Sequence, residues 1–266
     1  DRCIDVYGGA REQANRRVAE LSSLLARQAA QTVSSIDATL LGVVDAIELT
    51  DRQGAGGADV AVQLIRRRLS ETPQIRDLVV LDAAGRPRFV AGEAAIATPG
   101  VALQDFFTVQ GSVALGRSLE IGAPILDAAH GYALVPMSRR FAAPDGGHGG
   151  AVVAIVASDV LSEALRPGAR PDGETVALWS ASGMLLARSQ AVPGAIGQVL
   201  STDIARRAVT PESVNPVLAV TSPVDGERRI IGRAAVPGYP FFVSVAASEA
   251  AVLDAASEQI RNIVAM

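Results

Sequence analysis

The sequence predicts an α+β fold: a long N-terminal helix, then two tandem domains, each with a central antiparallel sheet of about five strands flanked by helices. Three observations carry this. Residues Ala14 to Leu49 hold no proline and a single glycine, Gly42, with apolar residues at helical spacing. From Asp77 onward the pattern changes to short apolar runs punctuated by glycine-rich turns. That second pattern occurs twice, with the turn glycines Gly85 and Gly183 lying 98 residues apart.

The helix rests on Val18, Leu21, Leu25, Val33, Ile36, Leu40, Val43, Val44 and Ile47, which recur in three-, four- and seven-residue steps. A helix of about 30 residues or more is long against the usual mean of about 11 to 12. Such a helix either carries a dimer seam or runs the length of two domains. Gly54-Ala55-Gly56-Gly57 breaks it, and a shorter helix is expected over Ala58 to Ser70. Leu78 to Leu81, the turn Asp82-Ala83-Ala84-Gly85, and Arg86 to Val90 then read as strand, turn and strand. A helical patch is expected near Leu103 to Gln110, followed by strands over Leu119 to Ile125, Tyr132 to Phe141 and Ala151 to Ala157. Pro144-Asp145-Gly146-Gly147 joins the last two, and Ser158 to Leu165 closes the repeat as a short helix.

The second repeat follows the same scheme. Val176 to Trp179 and Met184 to Ala187 flank the turn Ser180-Ala181-Ser182-Gly183. Leu218 to Ser222 and Arg229 to Ala235 flank Val224-Asp225-Gly226-Glu227. Phe241 to Ala246 is the last strand, before a helix from Ser248 to Met266. A period of this size marks a duplicated domain, because solenoid periods run about 20 to 50 residues. The expected divisions are 1–57, 58–166, 167–247 and 248–266.

Composition excludes several functions. Apolar residues are 49% and charged residues 20%, which suits packed cores. All 24 basic residues are arginine and the net charge is −4, without the clustered basic face that nucleic acid requires. The one cysteine, Cys3, falls in a terminal stretch expected to be poorly ordered and offers neither a disulfide nor a thiolate cluster. The only histidines, His130 and His148, sit in glycine-flanked turns, too few for a zinc site. No GxSxG elbow or P-loop occurs, since Ser182-Gly183 lies in a hairpin turn and no lysine is available. The chain is expected to be non-catalytic and to need no cofactor or metal.

Several motifs carry a resemblance. They are Gln104-Asp105-Phe106-Phe107, the strand Leu119 to Ile125 with Ile121-Gly122 and Pro124, and Pro136-Met137-Ser138-Arg139-Arg140-Phe141. Pro144-Asp145-Gly146 and Gly149 to Val153 follow, with Gly183 to Arg188, Val224-Asp225-Gly226 and Pro237 to Pro240 in the second repeat. In order and spacing, from roughly Val18 to Glu258, these resemble the double-Cache family of PAS-like sensors. The resemblance implies a periplasmic input module of a bacterial inner-membrane receptor: a histidine kinase first, a diguanylate cyclase next, or a chemoreceptor. It also implies membrane helices before and after this chain, and a ligand pocket in the first, membrane-distal repeat. The Tyr-x-Arg-x-Trp constellation of amino-acid-sensing members is missing, so an amino-acid ligand is not supported by the motifs.

Candidate ligand-binding residues are Asp105, Phe107, Arg117, Ile121, Tyr132, Leu134, Ser138 and Arg139. Strand alternation puts Tyr132, Leu134, Pro136, Ser138 and Arg140 on one face, and Arg139 with Val135 and Met137 on the other. An arginine entering the pocket would grip a carboxylate or phosphate with two parallel donors. The plainer reading pairs it with Glu120 or Asp145 at the surface. The expected partner is a small molecule, anionic in character, with no nucleic acid. A homodimer through the long helix is also expected. The competing reading is a ligand-free protein-interaction module with a vestigial pocket.

Overall fold

A computed structural model describes residues 2–54, 58–92, 118–127, 131–166, 173–200, 218–222 and 226–264. Helix α1 covers Arg2–Gln53 and α2 covers Ala58–Glu71. The first sheet comprises β1 (Ile75–Asp82), β2 (Pro87–Gly92), β3 (Glu120–Ile121), β4 (Ile125–Asp127), β5 (Tyr132–Ala142) and β6 (His148–Ala157). Helix α3 (Ser158–Leu165) follows. The second sheet comprises β7 (Glu174–Ser180), β8 (Leu185–Arg188), β9 (Leu218–Thr221), β10 (Arg228–Ala235) and β11 (Phe241–Ser248), with α4 (Glu249–Val264) after it. The chain divides into two compact units, Gln31–Val160 and Asp1–Ala30 with Leu161–Met266.

Duplication is visible in the strand order. The first sheet runs β2-β1-β6-β5-β3, with β4 also pairing β5, and the second runs β8-β7-β11-β10-β9. Counted within each unit, both place the second strand at one edge and the last strand at the centre. All pairings are antiparallel. The leading hairpins share their turn chemistry. The amide of Gly85 donates to the carbonyl of Asp82 at 2.9 Å, and that of Gly183 to Ser180 at 2.9 Å. Both glycines sit at positive φ, 78° and 84°, where a β-carbon is disfavoured. Each hairpin shifts register just before its turn, between Val80 and Leu81 and between Leu178 and Trp179.

Helix α1 begins at Arg2 rather than near Ala14, so the terminal stretch expected to be poorly ordered is helical. Gly8 and Gly9 each cost about 1 kcal/mol of helix propensity relative to alanine. Tertiary contact opposes that cost: the Tyr7 hydroxyl meets Ser257 of α4 at 3.1 Å, and a groove there is lined by Tyr7, Arg11, Val252 and Leu253. The apolar stripe of α1 is consumed within each unit. Val18 and Leu25 are fully buried in one, and Val33, Ile36, Leu40 and Val43 in the other. A partner helix cannot reach those side chains, so the stripe is not a free dimer seam.

Ion pairs fix the helix to each sheet. In one unit Arg17 grips Glu174 of β7 through Nε at 2.5 Å and Nη2 at 2.9 Å. In the other, Arg139 of β5 grips Asp37 through Nε at 2.5 Å and Nη2 at 2.9 Å. Glu48 adds an acceptor for the Ala142 amide at 2.9 Å.

The expected strand from Leu119 to Ile125 is split in two. Pro136, in the middle of β5, causes the split. It lies opposite Ile155 of β6 and turns its carbonyl outward, where it accepts from the Gly122 amide at 2.9 Å. Its nitrogen faces the same outer edge and donates nothing, so the edge strand cannot pair continuously there.

Gly232 shows how closely α1 approaches β10. A β-carbon there would lie 2.3 Å from the carbonyl oxygen of Val18. Gly232→Ala is therefore expected to destabilise by about 1 to 3 kcal/mol through overpacking. Gly8→Ala, with open space around it, is expected to stabilise by up to about 1 kcal/mol. Urea unfolding of the two variants checks both signs.

Candidate functional site

Each strand of the first sheet sends alternate side chains to opposite faces. Toward α1 go Leu78, Val80, Val135, Met137 and Arg139, the last held by Asp37. The other face carries Val79, Leu81, Leu134, Val153, Ile155 and Ala157, a buried apolar cluster with Tyr132 and Ile125 packed at its edge. Polar groups flank this cluster on both sides.

At one side stand Arg76, Asp77 and Tyr132. A register shift between Ile75 and Asp77 brings two consecutive side chains, Arg76 and Asp77, to this cluster. The Arg76 guanidinium lies 5.3 Å from the Tyr132 ring centre, and Nη1 donates to the phenol oxygen. Its Nε is 3.9 Å from Asp77 Oδ2. Asp77 is fully buried. Gly92 makes room for it, because a β-carbon at Gly92 would lie 2.3 Å from Asp77 Oδ1. A buried carboxylate beside a guanidinium and a phenol is a set that can orient a small polar ligand with both charges represented.

At the other side stand Ser138, Arg140, Glu120 and His148. Ser138 is fully buried, between Val153 and Glu120 on the flanking strands. Arg140 Nε lies 3.6 Å from Glu120 Oε1. Burial raises the Glu120 carboxyl above its ordinary value, and the Arg140 charge opposes this. His148 is pushed below its ordinary value, first by burial and then by the Arg140 charge.

Of the candidates read from sequence, Tyr132, Leu134 and Ser138 share this face. Ile121 lies opposite Met137 and so belongs with the α1-facing side chains, as does Arg139. Asp105, Phe107 and Arg117 lie outside the described residues, as do the helical patch near Leu103 to Gln110 and His130. Arg76, Asp77 and Glu120 were missed as members of this cluster. Simple alternation counted from Leu78 sends Arg76 to the α1 side, and only the register shift corrects it.

The second sheet has its own cavity, of about 80 Å³, on the face turned away from α1. Trp179, Phe242, Ser244, Arg188, Arg229 and Arg233 are among its walls. Among the described residues no cluster of three or more His, Cys, Asp or Glu could hold a metal ion. Nor is any helix there long and apolar enough to cross a membrane.

No family model matches the sequence, and no curated protein matches it. Solved structures do. The extracellular domain of rpHK1S-Z16, described as a histidine kinase, is 24% identical with a TM-score of 0.72, over 91% of this chain and 97% of that one. The ligand-binding domain of the Pseudomonas fluorescens chemoreceptor CtaA, in complex with L-leucine, is 16% identical with a TM-score of 0.63, over 92% and 99%. That of the Pseudomonas aeruginosa amino acid chemoreceptor PctB, with L-Arg, is 11% identical with a TM-score of 0.65, over 90% and 97%. At these identities the likeness shows the fold: a long helix leading two PAS-like sheet units.

The depressed His148 has a sign that can be tested. The unfolded chain binds this proton more readily than the native one, so stability falls as pH drops through about 6.5, the ordinary histidine value. His148→Asn is expected to flatten the stability profile between about pH 7.5 and 5.5. Thermal melts of the wild type and the variant across that window provide the measurement.

Proposed function

We propose that this chain is the extracytoplasmic ligand-sensing domain of a bacterial transmembrane receptor, with a histidine kinase output ahead of a diguanylate cyclase or a chemotaxis output. It has no catalytic role of its own, and its place is the periplasmic side of the inner membrane. The observation that carries the reading is the shared architecture, matched along nine-tenths of the chain by the extracellular domain of rpHK1S-Z16. Domains of the same fold in CtaA and PctB hold amino acids, which supports a small molecule as the ligand here.

The proposed site is the outer face of the first sheet, around Tyr132, Leu134 and Ser138, with Asp105, Phe107 and Arg117 as further ligand-binding candidates. Arg76 and Asp77 join it on geometry, as a cation and an anion about 4 Å apart. That pair widens the expectation from a plain anion to a ligand carrying both charges. A receptor dimer through α1 would use residues other than the buried stripe; Leu24, Leu41 and Leu49 are among its exposed apolar side chains.

A second reading is favoured by one observation. The centre of the same face is packed with Val79, Leu81, Leu134, Val153 and Ile155, which suits an interaction module without a small ligand. A thermal-shift screen against amino acids, amines, carboxylates and sugars separates the two. A ligand at about 100 times its Kd is expected to stabilise the chain by about 2.7 kcal/mol. Tyr132→Ala and Asp77→Asn are expected to abolish the shift while the free protein still melts cooperatively. A flat screen would favour the interaction module, and a hit indifferent to both substitutions would remove the ligand from this face.

A further inference from the structure

The outer face of the second sheet is built unlike that of the first. Arg233 on β10 lies opposite Ser244 on β11, Ser244 opposite Ala177 on β7, and Ala177 opposite Arg188 on β8. One row across four strands thus reads Arg, Ser, Ala, Arg. The next row reads Ile231, Ala246, Thr175. Central positions of a covered sheet face normally carry large branched side chains, as Val176, Leu178, Val243 and Val245 do on the α1 side. Here alanine, serine and threonine leave the centre empty. The backbones of these two arginines stand three strand spacings, about 14 Å, apart, and both side chains reach the one cavity of about 80 Å³ that lies along the row.

Arg188, Arg229 and Arg233 all line that cavity, and all are buried, at 7%, 6% and 8% exposure. Arg229 extends Nη1 to within 3.4 Å of Thr175 Oγ1, and its Nη2 meets Glu227, a largely exposed carboxylate, at 2.8 Å. Arginine carries five donors in a planar fork, so one side chain can serve a protein partner and a ligand together. Most of the remaining wall is apolar. Trp179 and Phe242 stack with ring centres 6.0 Å apart and planes 9° from parallel. The indole N–H is already committed to Ser244 at 2.8 Å, so the rings offer their faces and edges. Leu200, Val220 and Ile231 complete that side.

We propose that this cavity is a second ligand site, specific for a short-chain organic monocarboxylate. The guanidinium groups take the carboxylate, and the aromatic and aliphatic wall takes the hydrocarbon end. Size sets the class: a cavity of about 80 Å³, against the roughly 10 to 15 Å³ that suffices to hold one water, has room for several heavy atoms. That admits an acid of about two to four carbons and excludes a nucleotide or sugar. The apolar wall sets the preference for a carboxylate with a tail over inorganic phosphate.

Isothermal titration of the whole chain with propionate, butyrate, phosphate and propionamide tests the site. Propionate and butyrate are expected to bind saturably with one site per chain, phosphate more weakly, and the uncharged amide not at all. Arg233→Gln and Arg188→Gln are each expected to weaken propionate roughly tenfold or more, the loss of one charge-assisted interaction. Ala177→Leu, which fills the floor without touching a charge, is expected to abolish binding. Arg228→Gln, on an exposed neighbour, should leave it unchanged, as should Tyr132→Ala and Asp77→Asn on the first sheet. Equal binding of propionamide overturns the proposal without any variant. Absence of propionate binding at millimolar concentration also overturns it. So does propionate binding that is lost in Tyr132→Ala yet kept in Ala177→Leu, since that places the anion on the first sheet.

Discussion

Everything in this chain is arranged around one requirement: each antiparallel sheet has an apolar face that must be kept from water, and α1 provides the cover in both units. The helix does so with one stripe of side chains, Val18 to Leu25 in one unit and Val33 to Ile47 in the other, all buried. Burial of this kind is worth about 1.5 to 3 kcal/mol for each large aliphatic side chain, and it is non-directional. Register along the helix therefore needs something else. The paired contacts Arg17 with Glu174 and Arg139 with Asp37 supply it, because a bidentate fork fixes both distance and orientation. Such pairs add specificity more than net stability once their desolvation is counted. The close approach of Gly232 to the Val18 carbonyl adds a steric stop of the same kind.

With one face of each sheet committed to α1, chemistry is confined to the other face, and there the two units diverge. The first sheet fills its centre with Val79, Val153 and Ile155 and moves its polar groups to the flanks, where Arg76 and Asp77 sit at one side and Glu120 and Arg140 at the other. The second empties its centre with Ala177, Ser244 and Ala246 and sets arginines around the opening. A shared strand order with different outer-face side chains is what duplication followed by divergence leaves behind, since fold and site are separable properties.

Much of this fold was legible because its signals are local. The turns at Gly85 and Gly183 need a glycine at one position, so their repetition announced the duplicated hairpin before any pairing was known. Strand alternation correctly separated Arg139 from Ser138 and Arg140, yet Arg139 stayed among the ligand candidates because its partner, Asp37, lies 102 residues earlier and no local rule links them. Arg76 and Asp77 escaped because a register shift breaks alternation at that place. The early start of α1 escaped because two glycines argue against it locally, and contact with α4 argues for it only in three dimensions. The arginine-lined cavity was invisible for a different reason. Its empty centre comes from small residues on β7 and β11, far apart in sequence and adjacent only once the strands pair.

The same alternation that hides these contacts from a linear reading also fixes how a bound ligand could be felt. Consecutive strand residues serve opposite faces at about 3.3 Å per residue. On β5, Arg140 faces the polar cluster while its neighbour Arg139 holds α1 through Asp37. On β7, Thr175 faces the cavity while its neighbour Glu174 holds α1 through Arg17. In both units, then, a side chain of the outer face and the helix-anchoring ion pair are joined by one peptide unit, which is planar and stiff. A strand that shifts or twists to satisfy a ligand must carry its anchor with it or strain a buried ion pair. Only a ligand that favours one of two such arrangements can alter the position of α1, and its influence is bounded by the difference in its affinity for them. A ligand's effect on α1 is therefore set by the strand that carries both groups, and tight binding alone is not sufficient for it.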